Sequence, residues 1–448
     1  MLTSAPVLRT VLAALVPVAI LVAVLVVTPS AARGNPAGDV AGAAEQVQVR
    51  AVYELELDTA AITREHVGPG VDPLAPLPAR RELEFHQTRQ RVTPTVELAI
   101  YRGLWISFAA PIVLAQSREL DLAAGVDRTT ATTFTDGILP GAGFDARAPG
   151  TAPSGSLVFR GVNRSGVPEL RGGVGFAAMN QARDDTKPTW KLGAELRFAI
   201  GRVMRFDAVE PGRETGVSTG VHELRLWTSV DRRYRYFEGW FEAFYQRPIY
   251  TRGTAQYGNP GFGSTNLDPG QTAGAAFGIE AVLVDDRLSV DLGGRLTAHF
   301  EGRGYSEMWE AFALAGDRHT GGPLLLDADP TDPGLQALGH PGVTNIENYL
   351  ETSGRIALRG RIGRRFTLSA TGELSWRTDH VISFADAGVD LPTCPATPRC
   401  EVDDNDVINP GTAEVNPLHA RRIDLVGHRY RAESGRGIVL GLEAHLQF

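Results

Sequence analysis

Two stretches near the middle of the chain place reactive and ring-bearing side chains at every second residue. Glu223, Arg225 and Trp227 alternate with Leu224 and Leu226, and Glu238, Trp240, Glu242 and Phe244 alternate with Gly239, Phe241 and Ala243. A period of two puts each set on one face of an extended chain. Carboxylates, a guanidinium and rings on one face can pair with one another, or hold an apolar or aromatic solute against the rings. The same rings can instead pack against a loop folded over them, and both readings stand at this level. Other alternating stretches carry charges at the same parity: Arg50, Glu54, Glu56, Lys191, Glu195, Arg197, Glu280, Asp291, Arg295, Arg355, Arg359, Glu373 and Arg377. Their mixed signs either fill an interior with ion pairs or line a polar path.

Bond-breaking chemistry finds less support. His222, His299 and His445 are isolated on strand-like segments, with no serine that parity would set beside them. A catalytic group needs its base and orienting partner within hydrogen-bond reach, so these read as structural and no enzyme activity is expected. Cys394 and Cys400 are the two cysteines, five residues apart in a Pro-containing loop. In an exported chain they are expected to form a local disulfide. His and Cys partners at metal-ligand spacing are missing. The acidic pieces Asp327-Ala328-Asp329 and Asp403-Asp404-Asn405-Asp406 lack the Gly and Glu spacing of a calcium loop and read as solvated acids. No metal or cofactor is expected.

Composition sets the class of element that must carry these residues. The 448 residues are 43 % hydrophobic, too polar for a helical membrane protein. A membrane β-barrel hides in such an average, because half of each strand faces a polar lumen. Net charge of -8, from 44 basic and 52 acidic residues, argues against a nucleic-acid surface. At the amino terminus Arg9, the apolar run Val11 to Val27 and Ser30-Ala31-Ala32 predict a signal peptide over 1–32. An uncleaved anchor is the alternative, because the run approaches spanning length. Residues 33–45 then form a periplasmic segment ahead of the first strand.

The last stretch, Ile438 to Phe448, orders the rest. Ile438, Leu440, Leu442, Ala444, Leu446 and Phe448 share one face, and Glu443, His445 and Gln447 the other. Leu442, Leu446 and the terminal Phe448 resemble the signal that the barrel assembly machinery reads on bacterial outer-membrane barrels. Upstream, alternating stretches and turn signals predict twelve strands over residues 46–448, with five tight turns and six longer connections in strict alternation. The tight turns are placed at Arg102-Gly103, Thr186-Lys187-Pro188, Asp231-Arg232-Arg233, Asp285-Asp286 and Gly363. The expected fold is therefore all-β: a transmembrane antiparallel up-and-down barrel with tight turns and both termini in the periplasm. Fourteen strands would follow if Arg202–Ala208 or Asp424–Arg431 supplied extra pairs. Closure requires the last strand to pair antiparallel with the first, with Glu443 and His445 facing the same lumen as Arg50 and Glu54. Interfacial aromatic girdles are predicted at Tyr101, Trp105, Trp190, Tyr234, Tyr236, Phe366 and Phe448 on one side, and at Phe85, Tyr250, Phe300 and Tyr305 on the other.

The segment Gly166 to Gly201 adds a likeness. With Gly172-Gly173-Val174-Gly175-Phe176, Pro188, Leu192-Gly193-Ala194-Glu195-Leu196 and Gly201, it resembles the Gly-rich hairpin of an outer-membrane family named for a phenol meta-cleavage pathway. That resemblance implies a barrel that passes hydrophobic small molecules. Ala199-Ile200-Gly201 stands where the family's hairpin has Pro-Thr-Gly, and no binding residue is carried over. The expected function is an outer-membrane channel for small solutes, hydrophobic or aromatic ones among them. Its substrate path would use Glu223, Arg225, Trp227, Glu238, Trp240, Glu242, Phe244, Arg295, Glu373 and Arg377. Expected partners are outer-membrane lipid, the assembly machinery and a small-molecule solute, in a monomer or small oligomer. A surface-binding barrel with a plugged lumen is the alternative, and an outer-membrane lipase a more distant one.

Overall fold

A computed structural model describes residues 47–66, 77–251, 268–284, 287–327, 334, 336–363, 365–385, 387–388, 416 and 418–448. The expected signal peptide, the segment 33–45, Cys394 and Cys400, the Asp285-Asp286 turn and the acidic piece 403–406 lie outside the described residues, as does most of the other acidic piece.

Alternating apolar and polar residues form long strands wherever the sequence keeps a period of two. They are β1 (Val47–Glu65), β2 (Ala79–Tyr101), β3 (Leu104–Ala109), β4 (Ile112–Leu122), β5 (Leu170–Met179), β6 (Thr189–Phe198) and β7 (Val221–Tyr234). Then follow β8 (Phe237–Thr251), β9 (Thr272–Leu283), β10 (Leu288–His299), β11 (Tyr349–Ile362), β12 (Phe366–Arg377) and β13 (Tyr430–Gln447). Pro111 divides β3 from β4, since proline cannot donate to the ladder; the two halves make one stave. Every consecutive pair is antiparallel, and the barrel closes with twelve staves.

The closing seam pairs the last strand with the first, antiparallel, as expected, and sets Glu443 and His445 on the inner face. Val49 pairs with Leu446, Arg50 with His445 and Val52 with Glu443, while β13's other edge pairs Leu368 with Ala444 and Ala370 with Leu442. Phe448 donates its N–H to the Val47 carbonyl at 2.9 Å. A closed ladder leaves no strand edge, the condition for crossing lipid with strands.

Most outward positions are apolar and uncovered, Tyr53 and Leu55 of β1 being covered exceptions. Phe277, Leu292, Ile356 and Leu374 are 59, 52, 54 and 49 % exposed. A belt of large apolar side chains around a closed barrel matches the lipid-facing band of a membrane barrel, not a water-facing surface. No helix among the described residues is long and apolar enough to cross a membrane. The two-faced pattern predicts that Leu292→Arg disturbs assembly while an arginine on the inner face does not, an outcome taken up below.

Several sequence expectations are corrected in detail. Asp231, Arg232 and Arg233 continue β7, and the turn falls at Arg235-Tyr236, where Arg235 takes φ 55°. β5 ends at Met179, so residues 180–188 form a longer connection than the expected turn. β1 runs to Glu65 and β4 to Leu122, several residues past their expected ends, and β12 stops at Arg377. Three girdle aromatics lie inside instead: Trp105 is 6 % exposed within the barrel, and Phe85 and Tyr305 pack in the structure that closes its outer end. Tyr101, Trp190, Tyr234, Tyr236, Tyr250, Phe300 and Phe448 are exposed.

Candidate functional site, the barrel lumen

Strand register places every residue of the expected path on the inner face. Glu223 stands opposite Arg197, Arg225 between Glu195 and Gln246, and Trp227 between Gly193 and Phe244. On β8, Glu238, Trp240, Glu242 and Phe244 face Glu280, Gly278, Ala276 and Gly274 of β9. Arg295 lies between Ala276 and Ser353, Glu373 between Arg355 and Val439, and Arg377 between Glu351 and Gly435. Seven of the ten cluster on β7, β8 and β10. Glu238 sits lower on β8, Glu373 belongs to the opposite wall, and Arg377 reaches the outer closure.

The rings rest on glycine. A Cβ on Gly175 would overlap the Trp105 ring, one on Gly193 the Trp227 ring, one on Gly274 the Phe244 ring, and one on Gly278 the Trp240 ring. Trp240 extends one strand further, to 2.9 Å from where a Cβ of Gly293 would lie, and donates Nε1–H to Asp291 at 3.0 Å. Trp105 and Trp227 meet with ring centroids 6.3 Å apart. The rings thus lie flat on the wall over lanes without side chains, leaving one face towards the lumen. Gly193→Val would force Trp227 off its lane, and overpacking of this kind costs about 1–3 kcal/mol. Urea unfolding of the refolded barrel should register that loss, and an unchanged midpoint would contradict the packing described.

Charges vary with depth. Near the periplasmic end they are paired and closely packed: Lys191 binds Asp231 at 2.8 Å, Arg359 and Ser289 bind Glu280, and Arg355 binds Asp291. Higher up the pairs are wetter. Glu54–Arg91 (2.8 Å) and Arg225–Glu242 (2.7 Å) span neighbouring strands, and the Arg91 and Glu242 side chains keep 28 and 32 % of their surface; Arg50–Glu97 (3.2 Å) lies back at the periplasmic end, beside His445. Arg225 also stacks over Phe244, 4.7 Å from its centroid. Inward side chains with that much free surface require open, water-sized space beside them.

Above this level the inner face turns apolar. On β1 the inward series passes from Glu54, Glu56 and Asp58 to Ala60 and Ile62, and on β2 from Arg89 and Gln87 to Phe85 and Leu83. These residues, with Leu120, Tyr430 and Ala432, join loop residues Phe134, Ile138, Phe159, Phe312, Ile382, Phe384 and Ile423 in one buried core. At its centre is α1 (Trp309–Ala315), buried at all seven positions. A helix buried on every face, with Glu310 its one charged residue, belongs inside, and this one is the plug of the outer mouth.

Buried polar ties fix the plug. Arg164 binds Glu310 of α1, donates to the carbonyls of Arg205, Glu214 and Gly216, and lies 5.0 Å from the Trp309 ring centroid. Both partners of this ion pair are buried, at 1 and 4 % exposure. Arg118 donates to the Ser306 carbonyl at 3.0 Å. Glu307 meets Arg377 at 3.5 Å and His380 at 3.6 Å, and Arg377 also reaches Asp58 at 3.4 Å, joining plug to lumen. Burial opposes ionisation of Glu307, but the hydrogen bond from His380 and the charges of His380 and Arg377 prevail and hold its pKa down to about 2. Burial, with the Arg303 charge second, holds His340 down to about 3, while burial pushes Asp424 up to about 6.

The pH dependence follows from those directions. His340 and Glu307 have folded values below their ordinary ones, 6.5 and 4.5, so their contribution is complete above those values and is lost as pH falls towards about 3 and about 2. Asp424 works oppositely, contributing below 3.8 and losing its contribution as pH rises through about 6. Between about pH 6 and 4 His340 and Asp424 therefore offset each other, and below about 4 only losses remain. The protection factors of the α1 amides should fall on acidification below about pH 4; a fall confined to higher pH would contradict these assignments.

Arg164, Trp105 and α1 were not visible as site residues in the sequence, and only the inward change from charge to apolar residues on β1 and β2 announced the plug. His299 stacks on Tyr349 with centroids 4.2 Å apart, His445 lies 3.2 Å from Gln48 and His222 packs on Phe198 and Tyr250. Among the described residues no group of three or more His, Cys, Asp or Glu side chains is placed to hold a metal ion.

No family model matches the sequence, and no curated protein matches it. Among solved structures the chain is similar to an outer-membrane channel from Pseudomonas putida F1, at 11 % identity and TM-score 0.40, over 94 % of this chain and 100 % of that one. A FadL homologue from Pseudomonas aeruginosa matches at 9 % identity and TM-score 0.31, over 91 % of each chain. The outer-membrane protease OmpT from Escherichia coli matches at 8 % and 0.26, over 90 % of this chain and 97 % of that one. Likeness at this distance says nothing of activity, and channels and a protease stand side by side in it. Closure, the exposed apolar belt and the charged interior identify the chain as a bacterial outer-membrane β-barrel.

Proposed function

We propose that this barrel is a channel for small solutes whose outer mouth is closed by the loop plug. The observation that carries the reading is the wet middle of the lumen, where the inward charged side chains of Arg91 and Glu242 keep 28 and 32 % of their surface. A barrel serving only as an anchor would gain by filling that level, as it fills the level below. Rings lying on glycine lanes beside the ion pairs give one wall of the lumen an apolar, aromatic face. Such a wall suits solutes with a ring or short apolar body. Passage requires the plug to move, so the closed form described here conducts poorly.

A second reading is favoured by the plug itself. Its outward side carries a cavity of about 380 Å³ lined by Arg205, Phe206, Asp207, Arg318, His319 and His340, among others, which suits a surface-binding barrel with a sealed lumen. Swelling of liposomes holding the refolded full chain, challenged with sugars and with benzyl alcohol, separates the two. Swelling supports the channel, and liposomes that stay sealed to every solute, even when Arg164→Ala removes the ion pair that ties down the plug, support the anchor.

A further inference from the structure

Most lumen cations are spoken for. Arg197 binds Glu195, Arg225 binds Glu242, Arg355 binds Asp291 and Arg359 binds Glu280. Arg295 differs from all of these. Its guanidinium makes no hydrogen bond or ion pair among the described residues, yet the residue is exposed inside the barrel. The inward carboxylates beside it in register are already engaged, Glu351 by His299 at 3.5 Å, Asp291 by Arg355 and Glu242 by Arg225.

The surroundings leave room for a ligand. Arg295's cross-strand neighbours on the inner face are Ala276 and Ser353, and its inward neighbours along β10 are Gly293 and Thr297. Below it the Trp240 ring lies over Gly278 and Gly293, with the Arg355 guanidinium 5.5 Å from its centroid, and above it the Phe244 ring lies over Gly274. Arg225 stacks on Phe244 and stands near enough to feel Arg295's positive charge. The result is an unpaired guanidinium rising between two aromatic planes, with the Ser353 hydroxyl beside it. A guanidinium binds a carboxylate through two parallel hydrogen bonds, and a planar apolar body attached to that carboxylate can lie against Phe244 or Trp240.

We infer that Arg295, Phe244 and Trp240 form a binding site for small aromatic carboxylates on the solute path. This deepens the channel reading and rests on it for the word path, while the binding itself does not depend on flux. The test therefore has two readouts on the full chain. Isothermal titration of the detergent-refolded protein with benzoate, acetate and benzyl alcohol measures binding, and proteoliposome swelling with the same solutes measures passage. Benzoate should bind more tightly than either acetate, which lacks the ring, or benzyl alcohol, which lacks the charge. Arg295→Gln should weaken benzoate by about tenfold or more, the range for one charge-assisted hydrogen-bonded pair. It should leave benzyl alcohol unchanged, and Arg295→Lys should recover part of the loss. Arg295 supports no other side chain, so the barrel should tolerate its exchange, and an unchanged urea midpoint would verify that. Equal benzoate binding by the wild type and Arg295→Gln overturns the site, and acetate binding as tight as benzoate removes the rings from it. Arg295-dependent binding in liposomes that do not swell would leave the site standing and overturn the channel.

Discussion

Arg164→Ala is expected to release the plug. The exchange leaves Glu310 buried without its hydrogen-bonded counter-ion, the Arg118 and Arg147 charges lying beyond ion-pair distance, and frees the three backbone carbonyls that Arg164 now satisfies. Removing one partner of a buried ion pair costs about 3–5 kcal/mol, because the remaining charge is stranded. The cost falls on the plug, since the barrel ladder is intact without it. Hydrogen exchange in Trp309–Ala315 should accelerate by two orders of magnitude or more, while the amides of β8 to β10 keep their protection. Conductance should rise with it. Replacing both partners, Arg164→Met with Glu310→Leu, removes the stranded charge and should recover much of the protection. Equal exchange in the single and double variants would show that the pair does not hold the plug.

Leu292→Arg is expected to be the most damaging single change on the outer surface. Leu292 faces outward at mid-strand, flanked by Ile279 and Ile356. An arginine at the bilayer midplane costs a membrane barrel about 2–4 kcal/mol. Thr371→Arg supplies the control, because Thr371 faces inward between Ala357 and Gly441, where a long side chain finds small neighbours and water. Refolding into lipid vesicles, followed by urea titration, should show a large loss for the first and a small one for the second. If the two lose equally, the assignment of faces is wrong.

The contrast shows what the sequence could express. Inner and outer faces were legible because lipid and lumen impose opposite polarity at a period of two, and β10, and β13 from Leu440 onwards, obey it. The shared inner face of Glu443, His445, Arg50 and Glu54 followed from the same rule, whereas the register that sets His445 opposite Arg50 needed the pairing of strands. Asp231-Arg232-Arg233 misled because polar runs resemble turns. Asp231 is instead an inward partner of Lys191, and the chain reverses at Arg235. Trp105 misled because an aromatic beside a tight turn resembles a girdle residue, although its parity opposes that of Ile106 and Phe108.

The plug was hidden for another physical reason. Its stability comes from contacts between residues far apart in sequence, of which Arg164 with Glu310 is representative, and no local period encodes such a pair. Seven consecutive residues from Trp309 to Ala315 without a turn former were the local trace of α1. The switch on β1 from Asp58 to Ala60 and Ile62 was the other, an inner face that stops being suited to water. Both signals become meaningful once the barrel is known. The expected path residues Trp227, Trp240 and Phe244 were found by parity, whereas the glycines that support them needed the pairing of strands.

Single-channel recording in planar bilayers, comparing the wild type with Arg164→Ala, tests the central claim most directly. A wet lumen under a releasable plug predicts small, infrequent openings for the wild type and a larger, sustained ion conductance for the variant. Silence in both, with the variant's α1 shown by hydrogen exchange to be released, would mean that the lumen below the plug is sealed and would contradict the account.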